Sequence, residues 1–200
     1  MAQDRTAQLR AAAAAGQVTE TKALLAAGTP VDAVDSQGRS ALLLAVESGH
    51  TEAAIALLEA GASPNVQAAN QDTPWLLAGA RGRTAMLAAM IPRGPDFSIR
   101  NRFGGNALIP AGERAHVETV ALLLNTAIPV DHINRLGWTC LLEIVLLGDG
   151  GPRHQEVTRL VLAAGANPNL ADKDGVSPLS HAIARGQTAI AAMIRAAGGR

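Results

Sequence analysis

The stretch GRSALLLAVESGHTEAAIALLEAGASPN, Gly38 to Asn65, holds two apolar runs separated by a short polar turn. Apolar residues recur at helical spacing, and the second run stops at Gly61. Glycine ends a helix readily because it enters the left-handed region without a Cβ clash. The first half of the pattern returns as QDTPWLLAGARGR from Gln71, GGNALIPAGERAH from Gly104, GWTCLLEIVLLGD from Gly137 and GVSPLSHAIARGQ from Gly175. Counted from Gly38, the intervals are 33, 33, 33 and 38 residues. Second halves follow as VALLLNTAIPVD and VTRLVLAAGANPN. A fixed period of this kind marks an array of units that each bury their apolar face on the next.

Composition agrees with a packed, mostly helical chain. Of 200 residues, 48% are hydrophobic and 17% charged, enough apolar surface to build a core. Aromatic content is only 2%, so helices rich in Ala and Leu can pack closely. Seventeen basic residues balance seventeen acidic ones, so no global field draws the chain to nucleic acid or to an anionic membrane. No apolar run approaches the roughly 18 to 20 residues that span a bilayer. A lone Cys140 cannot form an internal disulfide and says nothing firm about redox compartment. The start MAQDRTAQ lacks the charged and apolar regions of a signal peptide. Met1 before Ala-Gln-Asp fits a start codon placed at a mature terminus, which suggests a periplasmic setting, with the cytoplasm as the alternative.

The repeating unit resembles the ankyrin repeat, a β-turn, two antiparallel helices and a returning loop. The matching residues are Thr73-Pro74, Thr139 and Ser177-Pro178-Leu179 at first-helix starts, with Gly-Ala-x-Pro-Asn at Gly61 to Asn65 and Gly165 to Asn169. The resemblance implies an all-α ankyrin-repeat solenoid of six helix-turn-helix repeats with β-turn fingers. The whole chain, 1–200, is then one ankyrin repeat domain. Repeats are expected near 2–34, 35–67, 68–100, 101–133, 134–171 and 172–200, the fifth carrying an inter-helix insertion. The end repeats are expected to be caps. The first lacks the Gly-x-Thr-Pro entry, and the sixth places Arg195 where others have Leu58 and Leu162. Bacterial single-domain ankyrin proteins are the nearest likeness.

Members of the family usually bind partners on a concave surface lined by turn tips and first-helix ends. Mapped onto this sequence, that surface holds Asn70, Asp72 and Arg81, then Arg102, Phe103, Glu113 and Arg114, then Arg135, Leu136 and Trp138, with Lys173, Asp174 and Arg185 beyond. Trp and Arg are enriched at binding hot spots. Partner binding is therefore expected at Arg102, Phe103, Arg114, Arg135, Leu136 and Trp138. The competing reading folds Phe103 and Trp138 down over neighbouring turns, where they stiffen the stack. Trp75, which replaces the Leu after Thr-Pro, is expected to pack in the core.

Two departures suggest a second kind of site. The position of Leu44 and Leu77 becomes Pro110, Glu143 and His181 in the next three repeats, and buried polar groups are costly unless paired. Neighbouring helices lie roughly 8 to 10 Å apart, which lets Glu143 reach towards His181. The fifth repeat also carries GDGGPR, Gly148 to Arg153, between its helices. Either that loop is a tolerated insertion, since lengthening a turn costs little closure entropy, or Glu143, Asp149, Arg153, His154 and His181 line a small-ligand pocket.

Catalytic and cofactor signals are absent from the sequence. GDGGPR lacks the Gly-Lys-Ser/Thr ending of a phosphate-binding loop. The five His and single Cys show no zinc spacing, and no Ser has a recognisable base. The expectation is a non-enzymatic, monomeric protein-binding module without cofactor or metal. A metabolite receptor using the loop is the alternative, and a folding companion for a secreted enzyme is a third reading.

Overall fold

The computed structural model describes residues 2–200. Met1, on which the reading of a mature terminus turns, lies outside the described residues. Among these residues the regular elements are α-helices and one 3-10 turn, with no strand. The chain divides into two compact units, the first ending at Arg102 and the second spanning Phe103–Arg200.

The first unit holds α1 (Ala2–Ala14), α2 (Val18–Ala26), α3 (Ala41–Ser48), α4 (Thr51–Glu59), α5 (Pro74–Ala80), α6 (Thr84–Met90) and a 3-10 turn at Ile91–Arg93. Its first helices stack in the order α1, α3, α5 and its second helices in the order α2, α4, α6. The second unit holds α7 (Leu108–Glu113), α8 (Val117–Leu124), α9 (Cys140–Leu147), α10 (Pro152–Ala163), α11 (Pro178–Ala184) and α12 (Thr188–Ala196). There α7, α9 and α11 form one layer, and α8, α10 and α12 the other.

Helix starts are written locally. The hydroxyls of Ser40, Thr73, Thr139 and Ser177 accept from the amides of Leu43, Leu76, Leu142 and Ser180 at 3.1 to 3.2 Å. Each satisfies an amide that the first turn leaves without a partner. Asn106 does the same for α7, its Oδ1 accepting from Leu108 and Ile109 at 3.1 and 3.2 Å. Pro74 and Pro178 open α5 and α11, where a missing amide proton costs nothing.

Behind the starts lie two apolar cores. In the first unit Leu42, Leu57, Leu58, Met86, Leu87 and Met90 are fully buried. Trp75, as expected, packs in that core at 2% exposure, with Phe97 edge-on at 5.7 Å. The second unit buries Leu108, Leu123, Leu141, Leu142, Ile144, Val157, Val161, Ile190 and Ile194. Arg195 is exposed, consistent with a terminal repeat that faces water.

First helices end in a left-handed residue. Gly49 does so after α3 at φ 81°, and a Cβ there would meet the Arg83 guanidinium at 2.7 Å, so both conformation and space call for glycine. The corresponding residue after α7 is Ala115, held at φ 50°. After α9 the pattern breaks: Gly148 is extended, with φ −72° and ψ 159°, and the positive φ moves to Gly150. The insertion thus replaces a tight helix cap with a wider loop.

Candidate functional site

Three of the described fingers are each closed by one side chain that bonds the backbone ahead of it. In the fifth repeat the Oδ1 of Asn134 accepts from the amides of Leu136 and Trp138 at 2.9 and 3.0 Å, and the Asn134 amide donates to the Trp138 carbonyl at 3.0 Å. In the sixth, Asp172 does the same for Asp174 and Val176. Asp35 repeats the motif in the first unit, with Gln37 and Arg39. These turns set which side chains project. Leu136 is 50% exposed and Phe103 53%. The Arg135 amide donates to the Phe103 carbonyl at 2.9 Å, so the two apolar tips ride on directly bonded fingers. The Lys173 ammonium in turn reaches the Arg135 carbonyl at 2.5 Å. Trp138 is half-buried, Arg114 and Arg135 are exposed, and Arg114 lies 4.0 Å from Glu113.

Glu143 and His181 do not pair with each other; each is satisfied inside its own repeat. Glu143, only 7% exposed, accepts from the Asn134 Nδ2 at 2.7 Å through Oε1. The Nε2 of His181 lies 2.7 Å from Oδ2 of Asp172. In both cases the finger residue nine positions earlier has one atom occupied by the turn and a second free to point at the helix. These bonds to Asn134 and Asp172 correct the expected cross-repeat pair. Leu44, Leu77, Pro110 and His181 are half-buried, so this register faces the fingers and not the deep core.

Charge accumulates around Glu143. Burial, reinforced by the Glu113 carboxylate, pushes its carboxyl up to about 7, while the Asn134 bond and Arg114 pull the other way. Asp172, by contrast, is held below the usual carboxylate range by the Val176 amide and by His181.

The inserted loop engages its own polar side chains. Asp149 accepts from the Gly151 amide at 2.8 Å and lies 2.7 Å from Nδ1 of His154, contacts that hold its carboxyl below the usual range. His154 donates through Nε2 to the Glu113 carbonyl at 2.9 Å, and Arg153 donates to the Ala115 carbonyl at 3.1 Å. The Glu113 carbonyl ends α7, where a helix leaves acceptors without intrahelical partners, and the Ala115 carbonyl lies in the turn beyond it, where it also accepts from the Val117 amide. On the other side Gln187 donates to the carbonyls of Val145 and Gly148 at 3.0 and 3.2 Å. Glu143 sits in the first turn of α9 and Asp149 beyond its end, separated by about 9 Å of helix rise. Of the expected pocket residues, Asp149 and His154 are therefore brought together with Arg153 as their neighbour in sequence, whereas Glu143 and His181 belong to the fingers.

Arg102 belongs to the first unit. There it lines a polar cavity of about 280 Å³ with Gln37, Arg39, Glu47, Asn70, Asp72 and Arg81 above Leu43 and Leu77. Burial raises the Asp72 carboxyl above its ordinary value, against the pull of Arg102 and of Asn70. Gln37, Arg39 and Glu47 were not singled out from the sequence. For Gln37 and Arg39 the signal was present, since they occupy in one repeat the positions that Asn70 and Asp72 hold 33 residues later.

Paired helices and fingers closed by their own side chains define a helical repeat protein. The chain belongs to the ankyrin repeat family. It is 38% identical over 188 residues to the ankyrin repeat protein YahD of Escherichia coli (strain K12), covering 94% of each chain. The family described as Ankyrin repeats (3 copies) matches residues 2–68. Among solved structures, an ankyrin repeat domain from Acinetobacter baumannii AYE is 45% identical with a TM-score of 0.93, covering 96% of this chain and 98% of that one. The ankyrin repeat protein EF0377 is 37% identical with a TM-score of 0.91, covering 95% and 97%. Ankyrin repeats generally mediate protein–protein interactions. No described helix is long and apolar enough to cross a membrane.

Proposed function

We propose that the protein is a non-enzymatic protein–protein interaction module, acting as a monomer without a cofactor, whose partner docks on the fingers of the second unit. The observation that carries this reading is the pair of exposed apolar tips, Phe103 and Leu136, on fingers joined backbone to backbone. Neither side chain is needed to fill the core, and exposed apolar groups rimmed by charge are the pattern of a docking surface. Arg135 and Arg114 supply that rim, on and beside the finger that carries the half-buried Trp138. Fingers already closed by Asn134 lose little entropy on docking. In the 148–153 loop Asp149 is engaged with the Gly151 amide and His154, and Arg153 with the Ala115 carbonyl, which supports a structural role for the loop over a ligand-binding one.

The test is comparative capture from the native compartment with quantitative mass spectrometry. A protein held by the wild type should be lost by Leu136→Asp and by Trp138→Ala, the latter weakening affinity by about 2 kcal/mol. It should be retained by a charge change at Arg195. Equal capture by the finger variants removes the proposed surface.

A further inference from the structure

We propose that Glu143 is the positioning residue for the Leu136–Trp138 finger, acting through Asn134, and that the proton it carries sets how firmly that finger is held. The geometry is a relay of hydrogen bonds: Glu143 Oε1 accepts from Asn134 Nδ2 at 2.7 Å, and Asn134 Oδ1 accepts from Leu136 and Trp138 at 2.9 and 3.0 Å. An amide has a donor end and an acceptor end, and the finger needs the acceptor. A carboxylate can only accept, so ionised Glu143 permits one orientation of Asn134, the one that presents Oδ1 to the finger. A carboxylic acid has a hydroxyl that donates. Protonated Glu143 therefore tolerates the flipped amide, whose NH₂ would face the amide protons of Leu136 and Trp138 and release them.

The surroundings place this change in a useful range. Burial and the facing Glu113 on α7 lift the carboxyl to about 7, and Arg114 on the same side opposes them. On its own helix, Cys140 is a thiol that burial and Glu143 keep protonated. On α11, His181 is committed to Asp172. On α10, Arg153 and His154 are engaged at the far end of α9 with the Ala115 and Glu113 carbonyls. In the finger itself Arg135 is the charged neighbour. The finger is thus held above neutrality and loosened below it. The consequence for docking rests on the interface proposed above, but the device itself does not.

Nitrogen-15 NMR of the full chain tests it without any partner. The Leu136 and Trp138 amides and the Asn134 side-chain NH₂ should titrate together with a midpoint near 7. Amide exchange corrected for its intrinsic rate should be roughly fivefold faster on the acid side. Glu143→Gln should make all three signals flat with pH. Asn134→Asp, which sets a second carboxylate against the first, should move the midpoint upward. His181→Gln should leave the titration in place. Signals that do not titrate, that still titrate in Glu143→Gln, or that vanish in His181→Gln overturn the proposal. If the titration holds while Leu136→Asp still captures the partner, the docking surface is wrong and the switch stands.

Discussion

At the scale of single residues, Glu143 shows how burial becomes a pH dependence. Its carboxyl rises from 4.5 to about 7 on folding, chiefly by burial and then by Glu113. The native protein therefore binds this proton more tightly than the unfolded chain. Between those two values the folded state holds more protons, so the stability contributed here is full below about 4.5 and is lost as pH rises through about 7. The whole shift corresponds to about 3 kcal/mol at most, and relaxation around a residue so near the finger surface reduces it. Glu143→Gln keeps an oxygen for Asn134 and removes the charge. Urea unfolding should show the variant more stable than wild type by about 1 to 2 kcal/mol at pH 8 and nearly equal at pH 5. A gain of the same size at both values would trace to packing and not to the charge.

Among elements, the insertion is the informative one. As a tolerated surface loop, Gly148–Arg153 would be replaceable by a short turn with a change within about 0.5 kcal/mol. Its contacts argue for more: Pro152 starts α10 early, and that added turn delivers Arg153 and His154 to carbonyls at and just beyond the end of α7. Substituting a turn like that of the fourth repeat should lower stability by about 1 to 2 kcal/mol with an unchanged urea slope. No loss would mean that water caps α7 as well as these side chains do. This element also shows where sequence reading reaches its limit. Caps such as Ser40 and Thr73 act three residues ahead, and a 33-residue period announces itself, so helices and their pairing were legible. Arg153 and His154 act on carbonyls 38 and 41 residues away, which no local pattern records. The partner of Glu143 escaped notice for a related reason. The second side-chain atom of Asn134 becomes available to Glu143 only once the finger has used the first.

For the molecule as a whole, charge balance bears on how it recognises a partner. With 17 basic and 17 acidic residues the chain has no long-range field to offer, and several arginines are already engaged: Arg39 with Asp35, Arg153 with Glu118 and Arg159 with Glu156. The proposed recognition through finger tips such as Phe103 and Leu136 would then draw on burial of apolar surface, to which salt is nearly indifferent. Charged contacts at the rim tune encounter more than affinity. Raising ionic strength from about 50 to about 300 mM shortens the screening length from about 14 to about 6 Å, which weakens exposed ion pairs and leaves desolvated apolar contacts intact. Affinity for the captured partner should therefore change by less than about threefold across that range, measured by titration calorimetry, with a negative heat-capacity change marking the buried apolar area. A tenfold loss would transfer the interaction from the apolar tips to Arg114 and Arg135. In that case Leu136→Ala should matter less than Arg135→Ala, and the order of those two variants decides between the two accounts.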